Sequence, residues 1–407
     1  MSESVWVAGV GMTPFGVHED RDASELAQAA IDEALEDAGL EHAQVEAAFY
    51  GNTAQGALEG QLMVGGQIVL RDLGFQRIPM FNVENACATG ATALHLAIGQ
   101  VRGGMADIAL AVGVEKLNVG DRAATFAVFD GAYDVRDPGA LRRLLAEIGG
   151  ARDSEAAGDR SVFMDIYAAL ARAHMAKYGT TREQIAHVAA KNHRHAVDNP
   201  KAHYRKPMAV ADVLAGRALA YPLTVPMCAP LTDGAAAAVV CSRDALARVG
   251  GGRGVRVLAS VVGTGVDRAL TDDGRHVTRL LARRAYEQAG VGPEDVDVAE
   301  VHDATAFGEI QLTELLGLCE PGAGGAAAES GRTSLGGPLP VNPSGGLESK
   351  GHPLGATGLG QVYELVAQLR GEAGPRQVPG ARVAIAENGG GFLGGEEAVA
   401  AITVLGG

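Results

Sequence analysis

Hydrophobic and polar residues follow one another along this 407-residue chain in blocks that predict an α/β protein. Near the start, the apolar run VWVAGVG predicts a buried strand. In the next block, LAQAAIDEALEDAGL, apolar side chains recur three and four positions apart, which is the spacing of one helix face. Asp22 and Glu25 precede this block as a capping-box pair that starts a helix. A second strand, VEAAFYG, is predicted from Val45.

The same order of elements returns later in the chain. VTRLLARRAYEQAG predicts a helix and VDVAEVHD a strand, and aligning Gly39 with Gly290 places Val45 on Val296 without a gap. A stronger echo lies between two longer segments, ATGATALHLAIGQVRG and ATGLGQVYELVAQLRG. Two echoes in the same order favour two similar halves, each with a central sheet covered by helices.

We place these halves at residues 1–248 and 253–407, with the glycine-rich GGGRG as their junction. Between about residues 120 and 222 the strand–helix rhythm breaks, which indicates an insertion in the first half. The insertion contains KNHRHAVDNPKAHYRKP, a local excess of basic residues. Such a run is either a solvated face or, beside an active site, a contact for phosphate groups.

The composition limits the classes of partner. Hydrophobic residues make up 47% of the chain and its net charge is −15, which argues against nucleic acid or an anionic membrane as a partner. The four cysteines show no CxxC or metal-type spacing, so we expect neither a disulfide framework nor a metal site. The N-terminus lacks signal-peptide features, and no apolar run reaches the roughly 18 residues of a membrane span. We therefore expect a cytoplasmic protein without membrane insertion.

Two loops have residues suited to nucleophilic catalysis. Cys87 lies at the start of the first echoed helix, where unpaired N–H groups and the helix dipole favour a thiolate. His352 immediately precedes the second echoed helix, so the repeat predicts that it meets Cys87. A histidine in this position is what a thiol nucleophile needs for activation. The alternatives are a buried structural cysteine and a turn histidine beside a proline.

Two further loops follow predicted strands. His302, in EVHDATAFGEI, is placed to donate a hydrogen bond to a developing oxyanion, whereas Asp303 is interpreted as a helix cap. The segment AIAENGGGFLGG offers backbone N–H groups for an oxyanion hole, or else forms a flexible hairpin. The Gly9-x-Gly11 pair lacks the third glycine of a dinucleotide fingerprint and meets Pro14, so we reject that interpretation.

The segments NACATGATAL, TDGAAAA and NPSGGLESKGHPLGATGLGQ resemble the thiolase superfamily. The run from LGLCEPG through LRGEAGPRQVPGARVA is especially similar to the sterol-carrier-protein type of thiolase. The resemblance implies the thiolase fold, in which two similar βα halves form five αβαβα layers with an inserted loop domain. It also implies an acyl-CoA (coenzyme A thioester) substrate, no permanently bound cofactor, and a homodimer or homotetramer.

The resemblance assigns roles to the candidate residues. It implies that Cys87 accepts the acyl group, that His352 activates it and that His302 contributes to the oxyanion site. Backbone N–H groups of Cys87 and Gly389 would hold the tetrahedral intermediate. Proteins of this subfamily sometimes work with a small zinc-ribbon and OB-fold partner, so such a partner is also an expectation.

The chain departs from the family pattern at the second acid/base. Many thiolases have a cysteine in the last glycine loop, where this chain has Glu387, and the sterol-carrier type has His-Asp-Cys-Phe where Ala304 and Thr305 stand here. The other three cysteines fall outside these loops and are predicted to be poor replacements. Glu387 is a candidate acid/base if burial raises its pKa; otherwise it is a hydrogen-bonded strand-end carboxylate.

Three functions are compatible with these residues. The first is an acyl-CoA-dependent acyltransferase that forms an acyl-enzyme on Cys87, for thiolysis, Claisen condensation or C-acylation. The second is a retro-aldol lyase that acts on a side-chain CoA ester, which needs no acyl-cysteine. The third is a non-catalytic acyl-CoA-binding subunit. The intact set of Cys87, His302 and His352 favours the acyltransferase.

Overall fold

The structure is a computed structural model that describes residues 4–150, 160–249 and 252–407. Residues 250–251 of the predicted junction and 151–159 of the predicted insertion lie outside the described residues. The strands are β1 (Val5–Met12), β2 (Ala47–Gly51), β3 (Met80–Val83), β4 (Ile108–Glu115), β5 (Ala218–Ala220), β6 (Leu223–Thr224), β7 (Gly234–Ser242), β8 (Val255–Gly263), β9 (Val298–Glu300), β10 (Val383–Gly390) and β11 (Val399–Gly406). The helices are α1 (Ala23–Ala38), α2 (Gln55–Leu58), α3 (Gly65–Asp72), α4 (Thr89–Arg102), α5 (Arg122–Phe129), α6 (Pro138–Gly149), α7 (Val162–Tyr178), α8 (Arg182–His195), α9 (Val210–Ala215), α10 (Arg243–Arg248), α11 (Val277–Ala289), α12 (Ala306–Leu315), α13 (Gly324–Glu329), α14 (Gly346–Lys350) and α15 (Thr357–Arg370).

The strand order shows the internal repeat. In the first half, β7 pairs antiparallel with β1 and β4, and β2 runs parallel to β4 and β3. In the second half, β11 pairs antiparallel with β8 and β10, and β9 runs parallel to β10. A single bridge between Ala299 and Val341 stands where the first half has β3. The two half-sheets join through a short pairing of β1 with β8, so nine strands form one continuous sheet.

Helices and half-sheets stack in five layers, as predicted. An apolar cluster between α1 and the first half-sheet forms one outer core, and a cluster between α11, α12 and the second half-sheet forms the other. The largest cluster lies between the half-sheets and includes apolar side chains of α4 and α15. Because α4 and α15 are covered on both sides, they are nearly continuous runs of small and apolar residues rather than one-sided helices.

The predicted echoes are confirmed at the level of single residues. Helices α1 and α11 both end on an alanine followed by a glycine in the left-handed conformation, Gly39 with φ 66° and Gly290 with φ 71°. Helices α4 and α15 both contain 14 residues and begin at a threonine, Thr89 and Thr357. The capping box predicted at the start of α1 is also present.

The N-terminal ends of α4 and α15 approach each other in backbone contact. A Cβ atom at Gly90 would lie 2.7 Å from the carbonyl oxygen of Gly355, and one at Gly358 would lie 2.6 Å from the backbone nitrogen of Ala91. No side chain fits at either position without a shift of backbone. This contact holds the loops that precede the two helices next to each other.

The chain between β4 and β7 corresponds to the predicted insertion. Its described part contains helices α5–α9 and the β5–β6 hairpin, and an apolar cluster joins α7 and α8 to α12. The basic segment inside it does not behave as one unit. Lys191 and His195 are buried, and Lys191 is paired with Glu309 at 2.9 Å, whereas Lys206 is exposed. The solvated-face interpretation is therefore wrong for the first part of the segment.

We predict that Gly358→Ala lowers the free energy of unfolding by about 1–3 kcal/mol, because the added methyl group would lie 2.6 Å from the Ala91 nitrogen and 2.5 Å from the Asn388 side chain. Gly99→Ala in α4 is the matched control, since a Cβ there has no described atom within 4 Å and alanine favours the helix by roughly 0.5–1 kcal/mol. Urea unfolding followed by circular dichroism measures both. Equal stability of the two variants would contradict the backbone contact.

Candidate active site

Cys87 lies one residue before the N-cap of α4, in a loop that is fixed by its own backbone. The Ala88 N–H donates to the Asn85 carbonyl at 3.0 Å, and the Asn85 N–H donates to Thr89 Oγ1 at 2.8 Å. From the last glycine segment, Gly390 packs against this loop so closely that a Cβ there would lie 2.2 Å from the Asn85 oxygen. The position of the thiol is therefore set by main-chain contacts on both sides.

His352 is held in one orientation by two threonines. Its backbone N–H donates to Thr232 Oγ1 at 2.7 Å, and its ring Nδ1 lies 2.7 Å from Thr357 Oγ1. The Thr357 hydroxyl donates its only proton to the Pro353 carbonyl at 3.0 Å, so its oxygen accepts a hydrogen bond from Nδ1–H of His352. The Nε2 atom of His352 is consequently the nitrogen with the basic lone pair, and Nε2 of His302 lies within hydrogen-bond distance of it.

His302 lies two residues beyond β9 and faces His352. The Nε2 atoms of the two rings are 3.4 Å apart, and one nitrogen of each ring lies within 4.8 Å of the other and of Cys87 Sγ. His302 Nδ1 has no hydrogen-bond partner among the described residues. The structure therefore brings together the three side chains that the sequence motifs indicate.

The same three atoms form a donor set for a metal ion. A thiolate sulfur and two imidazole nitrogens match the ligands of tetrahedral zinc sites that keep one open position. The spacing of the cysteines does not indicate this set, since its members come from three distant loops.

Burial keeps the three groups neutral. It raises the pKa of Cys87 to about 12, and the Glu115 carboxylate adds to the effect. Burial also lowers the pKa of His302 to about 4, and it lowers the pKa of His352 further below its usual range, with a contribution from His302. The expectation of a resting thiolate is therefore wrong, because desolvation outweighs the helix dipole. Cys87 thus rests as a thiol.

The last glycine segment belongs to β10 as far as Gly390, and its remainder lies in the connection from β10 to the antiparallel β11, where Leu393 bridges Glu396. Gly389 pairs with Ala400 of β11. Glu387 is fully buried. Its Oε2 accepts the backbone N–H of His302 at 3.3 Å, and its Oε1 has no partner among the described residues. Burial and the nearby Glu397 carboxylate hold the pKa of Glu387 well above its usual range. The Glu387 side chain thus holds the backbone of His302 in place.

A cavity of about 660 Å³ opens onto the three central side chains. Phenylalanines of the insertion, including Phe126 and Phe163, line one wall. The exposed side chains of Arg122, Lys206 and Arg217 line the mouth. Neither Glu387 nor Gly389 is among the residues that line this cavity. The cavity therefore has an apolar interior and a basic entrance.

Two groups on the cavity wall, Cys228 and Glu348, are not predicted from the sequence. Cys228 forms an antiparallel bridge with Thr305, and the N–H of its neighbour Ala229 donates to the Ala304 carbonyl at 3.0 Å. Cys228 falls outside the four loops, as the sequence shows, yet it lines the same cavity as Cys87. The bridge to the loop after β9 places the cysteine there, and no sequence signal indicates it.

Asp303 does not cap the helix that follows it. Thr305 is the N-cap of α12, and its Oγ1 accepts the Gly308 N–H at 3.4 Å. Asp303 instead accepts the Leu347 N–H at 2.8 Å and one Asn192 amide hydrogen at 3.0 Å. It thereby ties the loop after β9 to the segment that contains His352, and the helix-cap interpretation is wrong because that segment competes for its oxygens.

The chain matches two protein-family models, "Thiolase, N-terminal domain" over residues 5–213 and "Thiolase C-terminal domain-like" over residues 270–405. It is 39% identical over 405 residues to sterol carrier protein 2 of Oryctolagus cuniculus, covering 97% of this chain and 71% of the relative. It is 40% identical over 401 residues to acetyl-CoA acetyltransferase of Methanothermobacter thermautotrophicus, covering 97% and 98%. It is 36% identical over 396 residues to benzoylsuccinyl-CoA thiolase subunit BbsB of Thauera aromatica, covering 96% of both.

Two solved structures share the fold. The Ltp2-ChsH2(DUF35) aldolase superposes with a TM-score of 0.79 at 23% identity, covering 99% of this chain and 97% of that one. Human mitochondrial 3-ketoacyl-CoA thiolase gives a TM-score of 0.72 at 16% identity, covering 99% and 98%.

The chain belongs to the thiolase family. Its relatives in that family include an acetyl-CoA acetyltransferase and a benzoylsuccinyl-CoA thiolase subunit, and this protein is an acyltransferase. No helix within the described residues has the length and apolar character to cross a membrane.

We predict that iodoacetamide alkylates Cys87 slowly at neutral pH and that the rate rises about tenfold per pH unit without reaching a plateau below about pH 10. The reason is that the thiol is protonated below its pKa of about 12, so the reactive thiolate fraction grows with pH. Peptide mass spectrometry measures the rate, with Cys87→Ala as the control. A plateau near neutral pH would show a stabilised resting thiolate instead.

Proposed function

We propose that this protein transfers acyl groups between coenzyme A thioesters and a carbon or thiol nucleophile through an acyl-enzyme on Cys87. The observation that carries the proposal is the approach of Cys87 Sγ and one nitrogen each of His302 and His352 to within 4.8 Å at the cavity. A thiol with a neighbouring base and a hydrogen-bond donor is the minimum set for acyl transfer through a covalent intermediate.

The geometry supports one order of events. Cys87 attacks the carbonyl carbon while its proton moves to Nε2 of His352, since Nδ1 is already committed to Thr357. The carbonyl oxygen becomes negative and accepts a hydrogen bond from the Nε2–H of His302. Because the resting groups are neutral, the hydrogen-bond donors stabilise the transition state more than the ground state. Negative charge develops on the carbonyl oxygen only as the sulfur attacks.

A backbone donor completes the proposed oxyanion site. The N–H of Cys87 is the candidate, since Cys87 lines the cavity. The predicted contribution of Gly389 has no support in this geometry, because Gly389 does not line the cavity and its neighbour Gly390 is the residue that packs against the Cys87 loop. Glu387 has a supporting role in this proposal, since its Oε2 accepts the His302 N–H and so fixes the start of the loop that presents the imidazole.

The charge of the cavity entrance suits coenzyme A. The entrance has three exposed basic side chains for the phosphate groups beside one exposed carboxylate, that of Asp212, and the interior is apolar enough for an acyl chain. The phosphate-contact interpretation of the basic segment thus applies to its last part, where Lys206 lies.

The retained Cys87–His352 pair favours acyl transfer over the retro-aldol reaction. A lyase needs a base and an enolate site but no acyl-cysteine, and one structural neighbour is an aldolase. That likeness, at 23% identity, concerns the fold alone. A non-catalytic subunit would have no need for the ordered contacts of Thr232 and Thr357 with His352.

A second copy of the chain is the proposed partner. Strand β3 is the outer strand of the first half-sheet, and Phe81 on it is exposed together with Leu62, Met63 and Ile68. Apolar side chains of this size beside an open sheet edge favour association with another chain. A small zinc-ribbon and OB-fold protein is a further expected partner, and one structural neighbour is a complex with a DUF35 component.

Incubation with acetyl-CoA or acetoacetyl-CoA is predicted to leave an acyl adduct on Cys87, because the thiol is the nucleophile of the site. Intact-protein mass spectrometry followed by peptide mapping measures it. The adduct should be absent from Cys87→Ala and retained in Cys241→Ala, since Cys241 lies in the core on β7. An unmodified wild-type protein that still releases an aldehyde or ketone from a CoA ester would establish the lyase instead.

Replacing both Lys206 and Arg217 by alanine is predicted to raise KM for acetyl-CoA roughly 2- to 30-fold with little change in kcat, since each exposed ion pair contributes about 0.2–1 kcal/mol. Arg256→Ala on β8 is the matched control, because it removes an exposed arginine away from the cavity. An N-acetylcysteamine thioester, which lacks the phosphates, should show unchanged KM with all variants. A similar rise for that thioester would contradict a phosphate contact.

A further inference from the structure

The proposed acyl transfer needs a second acid/base, and the position that holds a cysteine in the sterol-carrier type holds Ala304 here. Thiolysis releases a carbanion-like fragment that must be protonated at carbon, and condensation must remove a proton from the same carbon. Glu387 is not on the cavity wall, so it does not reach a bound substrate from its observed position. The group must therefore be sought among the residues that do line the cavity.

Cys228 occupies the space next to Ala304. Its bridge with Thr305 places the two segments side by side, and Cys228, Ala229 and Ala304 all line the same cavity as Cys87. The two cysteines are similarly buried, with Cys228 8% exposed and Cys87 6% exposed. The Cys228 thiol donates one hydrogen bond, to the Thr224 carbonyl at 3.5 Å. A substrate atom must therefore compete with this one carbonyl for the thiol proton.

A buried carboxyl group accompanies this thiol. Glu348 lines the cavity, is fully buried, and has no hydrogen-bond partner for Oε1 among the described residues. Its Oε2 competes with Asp303 and Glu309 for the two hydrogens of one amide, that of Asn192, at distances of 3.2, 3.0 and 2.9 Å. Glu309 also accepts hydrogen bonds from two further side chains, and Asp303 also accepts a backbone N–H, which leaves Glu348 with the fewest donors of the three. Burial and the neighbouring Asp303 and Glu309 hold the pKa of Glu348 well above its usual range.

We propose that Cys228 is the second acid and base of the reaction, and that it replaces from the insertion the thiol that is missing at Ala304. This inference rests on the proposed acyl-enzyme at Cys87. Burial raises the pKa of Cys228, so the resting group is a thiol that can donate a proton.

Protons and electrons balance in the following steps for thiolysis of a 3-ketoacyl-CoA. Cys87 adds to the β-carbonyl and its proton goes to His352. The bond between the α- and β-carbons breaks, its electron pair goes to the α-carbon, and the Cys228 proton moves to that carbon. Coenzyme A then gives its thiol proton to the Cys228 thiolate, and its sulfur takes the acyl group from Cys87. The proton held by His352 returns to the Cys87 sulfur.

The test separates the two half-reactions with one substrate, acetyl-CoA in deuterated buffer. Mass spectrometry of the protein reports acetyl loading of Cys87, and mass spectrometry of acetyl-CoA reports deuterium entering its methyl group. Cys228→Ala should still load Cys87, though more slowly, because the coenzyme A thiolate is a good enough leaving group to depart without the Cys228 proton. Deuterium exchange at the much less acidic methyl carbon should fall by about 100-fold or more, the usual contribution of a general acid/base. Cys241→Ala, which removes a buried thiol outside the cavity, should retain both.

A double variant tests the position of the thiol directly. Ala304→Cys in the Cys228→Ala background returns a thiol to the adjacent wall and should restore a measurable part of the exchange. Exchange at the wild-type rate in Cys228→Ala with normal acetyl loading would overturn the proposal. Absence of acetyl loading in the wild-type protein would instead overturn the acyl-enzyme on Cys87, so the two failures are distinguishable.

Discussion

The backbone contact between α4 and α15 is the constraint on which the rest of the site depends. The two helices are related by the internal repeat, begin at Thr89 and Thr357, and meet where only glycine fits, at Gly90 and Gly358. Because Cys87 precedes one helix and His352 precedes the other, the contact fixes the proposed nucleophile and the proposed base together. The relative position of this pair thus depends on how the two halves pack, and a change of side-chain volume at the contact would separate its members.

Burial at this contact decides the charge state of the site. A desolvated thiol and two desolvated imidazoles are most stable when neutral, which is why the pKa of Cys87 rises while those of His302 and His352 fall. Charges that are unavoidable are paired nearby, as Lys350 is with Glu300 at 3.0 Å. The three central side chains therefore form no ion pair at rest, and the fixed donors act when the substrate carbonyl becomes negative.

The fold and the three central residues could be predicted because both depend on local patterns that repeat. Strand and helix periodicity indicates the elements, and the echo between α4 and α15 is enough to place Cys87 beside His352. Three features could not be predicted. The protonation state of Cys87 depends on burial by segments that are distant in sequence. Asp303 accepts the Leu347 N–H instead of capping the helix that follows it, and Cys228 reaches the site through a bridge to Thr305. Each is a contact between loops far apart in sequence, which periodicity does not encode.

The insertion and the two halves contribute different parts of the cavity. The halves supply Cys87, His302 and His352 from loops held by the sheet and by α4 and α15. The chain between β4 and β7 supplies the aromatic wall, the basic entrance and Cys228. A substitution in the insertion can therefore alter the substrate or the second proton transfer while leaving the contact of α4 with α15 intact. This separation explains how the proposed acylation site can be intact although the family cysteine is absent at Ala304. The space beside Ala304 is open to a thiol from another segment. Proton transfer at the α-carbon requires a proton carrier at that point in space, whatever its position in the sequence.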